Sequence, residues 1–174
     1  VIGDIKDQFM NKMKVEIDKL KVGLDINDDN SFGPLISMEH MNKVKDYIKI
    51  SEEEGADILI DGRRLNKGKN SQEGFYLGAT LIDNVKTSMT AYKNEIFGPV
   101  LQIMHAKNLE EGIKIINDNP YGNGCAIFTS SGEAAKRFSE QINIGMVGIN
   151  IPLPVPSSYH SFGGWKESFF GDLN

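Results

Sequence analysis

The sequence predicts an α/β fold: a mainly parallel sheet with flanking helices. Three observations carry that expectation. Some segments repeat apolar residues every three or four positions, as an amphipathic helix does. Others are short runs rich in β-branched residues, closed by turn-forming residues. In the second half the two kinds alternate, which calls for β-α-β crossovers and therefore parallel strands. The composition is that of a globular chain, 40% hydrophobic and 25% charged over 174 residues, near the usual size of one domain. A net charge of −5 argues against nucleic acid as a main partner. The single cysteine, Cys125, excludes an intrachain disulfide and a multi-thiolate metal site. His40, His105 and His160 stand too far apart for metal-ligand spacing, so no metal site is expected. No apolar run reaches the ~18 residues of a membrane span, and no membrane partner is expected.

The elements follow in chain order. Ile2, Ile5, Phe9, Met13, Ile17 and Leu20 place a helix over 2–21, with Gly23 as its C-terminal cap. Residues 24–32 form a polar loop. Ser37 caps a second helix that carries Met41, Val44, Tyr47 and Ile48 inward and stops at Gly55. Asp57-Ile58-Leu59-Ile60 reads as a buried strand ended by Asp61-Gly62. Residues 63–74 form a solvated loop in which Arg63, Arg64, Lys67 and Lys69 are expected to be hydrated surface charges. Strands follow over 75–82 and 100–104. A helix over 109–118 has Asn108 as cap and Glu111 at the reciprocal position. A strand over 125–129 leads to a helix over 133–142, with Ser130 and Glu133 at capping-box spacing. A last strand spans 146–150. Ligands of parallel sheets bind beyond the carboxyl ends of strands, which points to Thr129-Ser130 and to the loop after Asn150.

Two segments stand apart. Ile151-Pro152-Leu153-Pro154-Val155-Pro156 alternates proline with apolar side chains, which blocks both helix and central strand. Lys93-Asn94-Glu95-Ile96-Phe97-Gly98-Pro99-Val100 leads a carboxylate and an aromatic through a Gly-Pro pair into a strand. Pro99 pushes Gly98 out of the helical region, and Gly98 tolerates backbone angles that other residues cannot. The turn thereby directs Glu95 and Phe97. A carboxylate there can accept two hydrogen bonds from a ribose, and an aromatic face can pack on a nicotinamide ring. As chemistry alone this is a weak signal, since a Glu before a tight turn is most often a solvated surface residue.

Glu95-Ile96-Phe97-Gly98-Pro99-Val100 resembles a signature of the NAD(P)-dependent aldehyde dehydrogenase superfamily, in its catalytic domain. Gly33-Pro34-Leu35, Asn119-Pro120-Tyr121-Gly122, the run from Gly145 to Asn150 and Ser161-Phe162-Gly163-Gly164 occur in that family's order, so the resemblance covers the chain. Asn119-Pro120-Tyr121-Gly122-Asn123-Gly124 and the proline-bearing loop are most similar to the methylmalonate-semialdehyde dehydrogenase branch. The resemblance implies oxidation of malonate or methylmalonate semialdehyde with NAD and coenzyme A, giving acetyl- or propionyl-CoA and carbon dioxide. It implies a thiolate nucleophile, covalent capture of the aldehyde, and acyl transfer to coenzyme A. Glu95 would hold the nicotinamide ribose and Phe97 would buttress it. Phe162 would line the aldehyde tunnel, while Ile151, Pro152 and Leu153 would shape the acyl pocket.

The same resemblance places the nucleophilic cysteine and the dinucleotide-binding domain before Val1, and an oligomerisation strand after Asn174. Residues 1–174 are accordingly expected to be part of a catalytic domain, inactive alone, with no catalytic residue of their own. Cys125 lies in an apolar strand with no basic neighbour in sequence and is expected to be a small buried hydrophobe. His105 is expected at the surface, His160 in a structural hydrogen bond, and Trp165 as a loop anchor. Two other readings stay open: an aldehyde dehydrogenase that releases a free acid, and a truncated binding module. A cytoplasmic homo-oligomer acting on a small aldehyde is the expected setting.

Overall fold

The computed structural model describes residues 1–23, 31–64, 74–161 and 163–171. They divide into two compact units, Val1 with Gly3–His105, and Ile2 with Ala106–Asn174. Among the described residues no helix is long and apolar enough to cross a membrane.

In the first unit a 3-10 turn at Gly3–Ile5 opens into helix α1, Lys6–Asp18. The helix stops several residues before Gly23, because Val22 leaves to bridge Phe32 and the Gly23 amide donates to the Phe32 carbonyl. Its inward face runs through Met10 and Ile17. Helix α2, Met38–Glu53, begins where Ser37 predicts: the Ser37 hydroxyl accepts from the His40 amide at 3.1 Å. Met41, Val44, Ile48 and Ser51 form its buried stripe, and the Ser51 hydroxyl avoids an unpaired donor by bonding the Tyr47 carbonyl at 2.7 Å.

Strands β1, Asp57–Ile60, β2, Thr80–Asp83, and β3, Val100–Gln102, form one sheet in that order. β2 is parallel to β3 but antiparallel to β1, with an irregularity between Ile58 and Ile60. The central strand is buried throughout, so its two apolar residues face different neighbours. Leu81 packs with Met10, Ile17 and Ile103, and Ile82 with Ala56, Val85 and Met89. Full burial of such side chains stabilises by about 1.5–3 kcal/mol each. The strand expected over 75–82 shrinks to its last part because 75–79 bonds elsewhere: Phe75 accepts from Leu35, and Gly78 donates to Gly62. Between β2 and β3 lies the short helix α3, Thr90–Lys93.

Arg63 is not a free surface charge. In a 3-10 turn at Gly62–Arg64, its guanidinium grips both Asp61 carboxylate oxygens at 2.8 and 3.0 Å and reaches Glu52 at 3.2 Å. Arg64 also reaches Asp61. Lys67 and Lys69 lie outside the described residues. His105 is likewise no simple surface residue, since its Nε2 hydrogen-bonds the buried Asp83 carboxylate.

In the second unit, helix α4, Leu109–Asp118, is capped by Asn108, whose side chain accepts from the Glu111 amide. Glu111 returns the contact to the Lys107 amide instead of to Asn108. Strand β5, Gly124–Ile127, helix α5, Gly132–Gln141, and strand β6, Met146–Ile149, make the expected crossover, with β5 and β6 parallel. Ile113, Phe138, Ile142 and Ile144 form the core beneath it. The cap of α5 is Ser131, not Ser130. The Thr129 hydroxyl accepts from the Ser131 amide, and the helix starts at Gly132, one residue before the expected 133.

β6 is not the last strand. Strand β4, Tyr121–Gly122, pairs antiparallel with β7, Trp165–Lys166. The Lys166 ammonium then donates to the carbonyls of Ile116, Asn117 and Asn119 at 3.2, 2.9 and 2.9 Å. These are orphan acceptors at the α4 C-terminus, where a cation is also favoured by the helix dipole. The α/β class with parallel strands holds, with antiparallel pairs beside the parallel ones.

Candidate functional site

The turn at 95–99 owes its placement to contacts from several elements of the first unit. Helix α3 has no cap of its own, as Met89 precedes Thr90. Glu54 supplies one from the end of α2: its carboxylate accepts from the Thr90 amide at 2.7 Å and the Thr90 hydroxyl at 2.6 Å. These bonds hold the Glu54 carboxyl below its ordinary value. The Gln102 amide ties β3 back to the Ala91 carbonyl at 3.0 Å. Ile96, only 6% exposed, drives inward against the α2 face. Pro99 offers its carbonyl to the Thr80 amide of β2 at 2.8 Å.

Glu95 and Phe97 flank that buried isoleucine and are therefore exposed, Phe97 to 76%. Gly98 does not use its conformational tolerance. The left-handed backbone belongs to Phe97, with φ of 53°, and Gly98 is not among the positive-φ residues. Glycine is required at 98 for space, because a Cβ would stand 2.9 Å from both γ-carbons of Val44. Holding a bulky residue in the left-handed region costs about 1–2 kcal/mol, so surrounding contacts must enforce it. His40, half-buried on the first turn of α2, is one. Its Nε2 lies 2.7 Å from the Phe97 carbonyl oxygen, and its ring meets the Phe97 ring edge-on at 6.3 Å between centroids. A carbonyl only accepts, so the Nε2 carries the proton. Sequence reading missed His40, since its partner lies 57 positions away.

In the second unit Asn150 clamps the carboxyl ends of β5 and β6. Its side-chain oxygen accepts from the Thr129 amide at 2.9 Å, and its side-chain nitrogen donates to the Thr129 carbonyl at 3.0 Å. Asn150 itself takes a φ of 57°, turning the chain sharply into the proline-bearing loop. The loop folds back over β6: a Cβ on Gly148 would meet the Ile151 carbonyl oxygen at 2.8 Å and Pro154 at 3.3 Å. Ile151, Pro152 and Leu153 remain exposed, Leu153 to 75%. The structure thus brings Glu95 and Phe97 together on one turn and these three residues together on another segment, each within its own unit. Phe162 lies outside the described residues.

Cys125 is half-buried in β5. Burial pushes its thiol above the ordinary 9.0, against a weaker opposing pull from Lys166. That is the reverse of what a nucleophilic thiolate needs. His160 is exposed, with its ring 4.8 Å from that of Tyr159. Trp165 is held through its backbone in β7 while its side chain stays about half exposed.

The sequence matches the profile of the Aldehyde dehydrogenase family over residues 1–174. A malonate-semialdehyde dehydrogenase of Pseudomonas aeruginosa is 46% identical over 99% of this chain and 35% of its own length. The crystal structure of methylmalonate-semialdehyde dehydrogenase from Oceanimonas doudoroffii superposes with a TM-score of 0.91 at 51% identity, over 96% of this chain and 34% of that one. A Sinorhizobium meliloti 1021 protein solved in complex with NAD superposes with a TM-score of 0.94 at 41% identity, over 99% and 35% of the respective chains. The chain spans about a third of the length of the curated relatives it matches. Fold, turn and matched length together place this chain in the aldehyde dehydrogenase family.

Proposed function

We propose that this chain is the part of a coenzyme-A-acylating semialdehyde dehydrogenase that presents one wall of the NAD site and one wall of the acyl pocket. The complete enzyme converts malonate or methylmalonate semialdehyde to acetyl- or propionyl-CoA with loss of carbon dioxide. The observation that carries the reading is the pair Glu95 and Phe97. Both are exposed beside a buried Ile96, on a turn bonded to α2 and to the central strand. A carboxylate so placed offers two acceptor oxygens to two ribose hydroxyls, and the exposed Phe97 ring offers a surface to an aromatic ring. NAD, when bound, supplies the acceptor for the aldehyde hydride. The residues here bind and orient; a thiolate elsewhere in the enzyme supplies the nucleophile. Ile151, Pro152 and Leu153 offer the exposed apolar surface on which a short acyl chain rests. The names of the relatives support this substrate class, and the NAD complex of one relative supports the cofactor.

The test is Glu95→Gln in the complete enzyme. Charge-assisted hydrogen bonds contribute about 1.5–3 kcal/mol, so NAD affinity falls by about tenfold or more while aldehyde KM holds. Unchanged NAD binding removes Glu95 from the site. Product analysis completes the assignment: acyl-CoA forms only with coenzyme A present, whereas free acid as the main product favours hydrolytic chemistry. The purified 174-residue chain alone is expected to reduce no NAD with either semialdehyde. The same reading includes a cytoplasmic setting and self-association through exposed apolar residues such as Leu153, Val155 and Tyr159. A monomer by light scattering at high concentration refutes the latter.

A further inference from the structure

We infer that His40 is a positioning residue for the cofactor-facing turn, acting as a hydrogen-bond donor and not as an acid or base. The inference rests on the proposed role of Glu95 and Phe97. Three observations carry it. Phe97 holds a left-handed backbone, φ 53°, that a bulky side chain adopts only under constraint. Its carbonyl accepts from the His40 Nε2 at 2.7 Å, and the two rings meet edge-on. His40 is itself immobilised, because its backbone amide is the one that the Ser37 hydroxyl caps. One residue therefore joins the first turn of α2 to the turn that presents Glu95. Without the donor, the Phe97 peptide is free to rotate toward an ordinary extended conformation. The Phe97 ring and the Glu95 carboxylate two residues earlier then lose their common orientation.

The required chemistry is narrow. The Nε2 donates both as the neutral Nε2–H tautomer and as imidazolium, so protonation leaves the bond intact. Glutamine carries an amide N–H at a similar reach and does not titrate. It is expected to substitute for His40, whereas leucine fills the volume without donating.

The experiment compares His40→Leu, His40→Gln and Glu95→Gln in the complete enzyme, reading NAD affinity by calorimetry and KM against kcat for both substrates. His40→Leu is expected to weaken NAD binding about three- to tenfold, the range of one neutral hydrogen bond. Aldehyde KM is expected to stay unchanged, and His40→Gln to return within about twofold of the parent. If His40→Leu binds NAD like the parent while Glu95→Gln does not, the His40 inference falls and the Glu95 reading stands. If neither variant changes NAD binding, the site reading falls and takes this inference with it. If leucine and glutamine are equally impaired, the donor role is refuted. Selective 15N-histidine labelling of the unmodified protein reads the bond without any substitution. A proton on the His40 Nε2 is expected, and an Nε2 that carries none overturns the proposal.

Discussion

Replacing Gly98 with alanine tests directly how the turn is seated. The added Cβ would stand 2.9 Å from both γ-carbons of Val44, which is 0% exposed. Carbon pairs settle at about 3.5–4.0 Å, so each contact must open by roughly half an ångström or more. Val44 cannot swing away, because valine in a helix has one strongly preferred rotamer. The turn cannot retreat either, since Ile96 is buried and Pro99 is bonded to Thr80. Overpacking of this kind costs about 1–3 kcal/mol, and with both sides pinned the upper half is expected. Val44→Ala alone removes two buried carbon groups at about 0.8 kcal/mol each, plus a cavity term, for a loss near 2 kcal/mol. In the double variant the alanine methyl at 98 occupies part of that cavity. The two changes should therefore cost less together than their sum, by about 2 kcal/mol, within the range seen for contacting pairs. Urea titrations of the four proteins measure this, with amide exchange at Leu81 and Ile82 reporting on the first unit. Additive costs, or a Gly98→Ala variant as stable as the parent, refute the steric account.

Gly62→Ala should be more damaging, by about 3 kcal/mol or more. Its Cβ would fall 1.9 Å from the Gly78 carbonyl oxygen and 2.8 Å from the Thr80 hydroxyl, where backbone must move; a urea midpoint like the parent's would contradict this. Asp61 is held below its ordinary 3.8, chiefly by the Arg63 side-chain hydrogen bonds. Its contribution is thus complete above pH 3.8 and lost as pH falls through the lower folded value. The stability gap between the parent and Asp61→Asn should be constant near neutrality and close below pH 3.8, and a gap that widens in acid reverses the sign. Cys125 should react with iodoacetamide more slowly in the native than in the unfolded protein, with a native midpoint above 9.0. A midpoint below neutrality would reopen Cys125 as a nucleophile.

The elements most legible in the sequence were those set by near neighbours. Ser37 and Asn108 bond amides three residues on, so their spacing alone locates α2 and α4. The same logic misplaced the α5 cap by one residue, because Thr129 is engaged both by Asn150 and by the Ser131 amide. β4 and β7 were unreadable, since two-residue strands carry no periodicity and pair across more than forty positions. Arg63 read as hydrated because its loop is polar, yet Asp61 two residues earlier presents both carboxylate oxygens to it.

At the candidate site the division is similar. Residues 95–100 by themselves determined that a carboxylate and an aromatic stand on either side of an isoleucine ahead of a Gly-Pro pair. Chain order and side-chain chemistry suffice for that, and the family follows from it. Only tertiary structure decided that Phe97, not Gly98, bears the unusual backbone, that Val44 is why position 98 lacks a side chain, and that His40 holds the peptide in place. Helical period, capping and proline stereochemistry act over a few residues and leave a pattern in the sequence. Steric exclusion and hydrogen bonding between residues more than fifty positions apart depend on where folding brings two segments, and no local spacing encodes that.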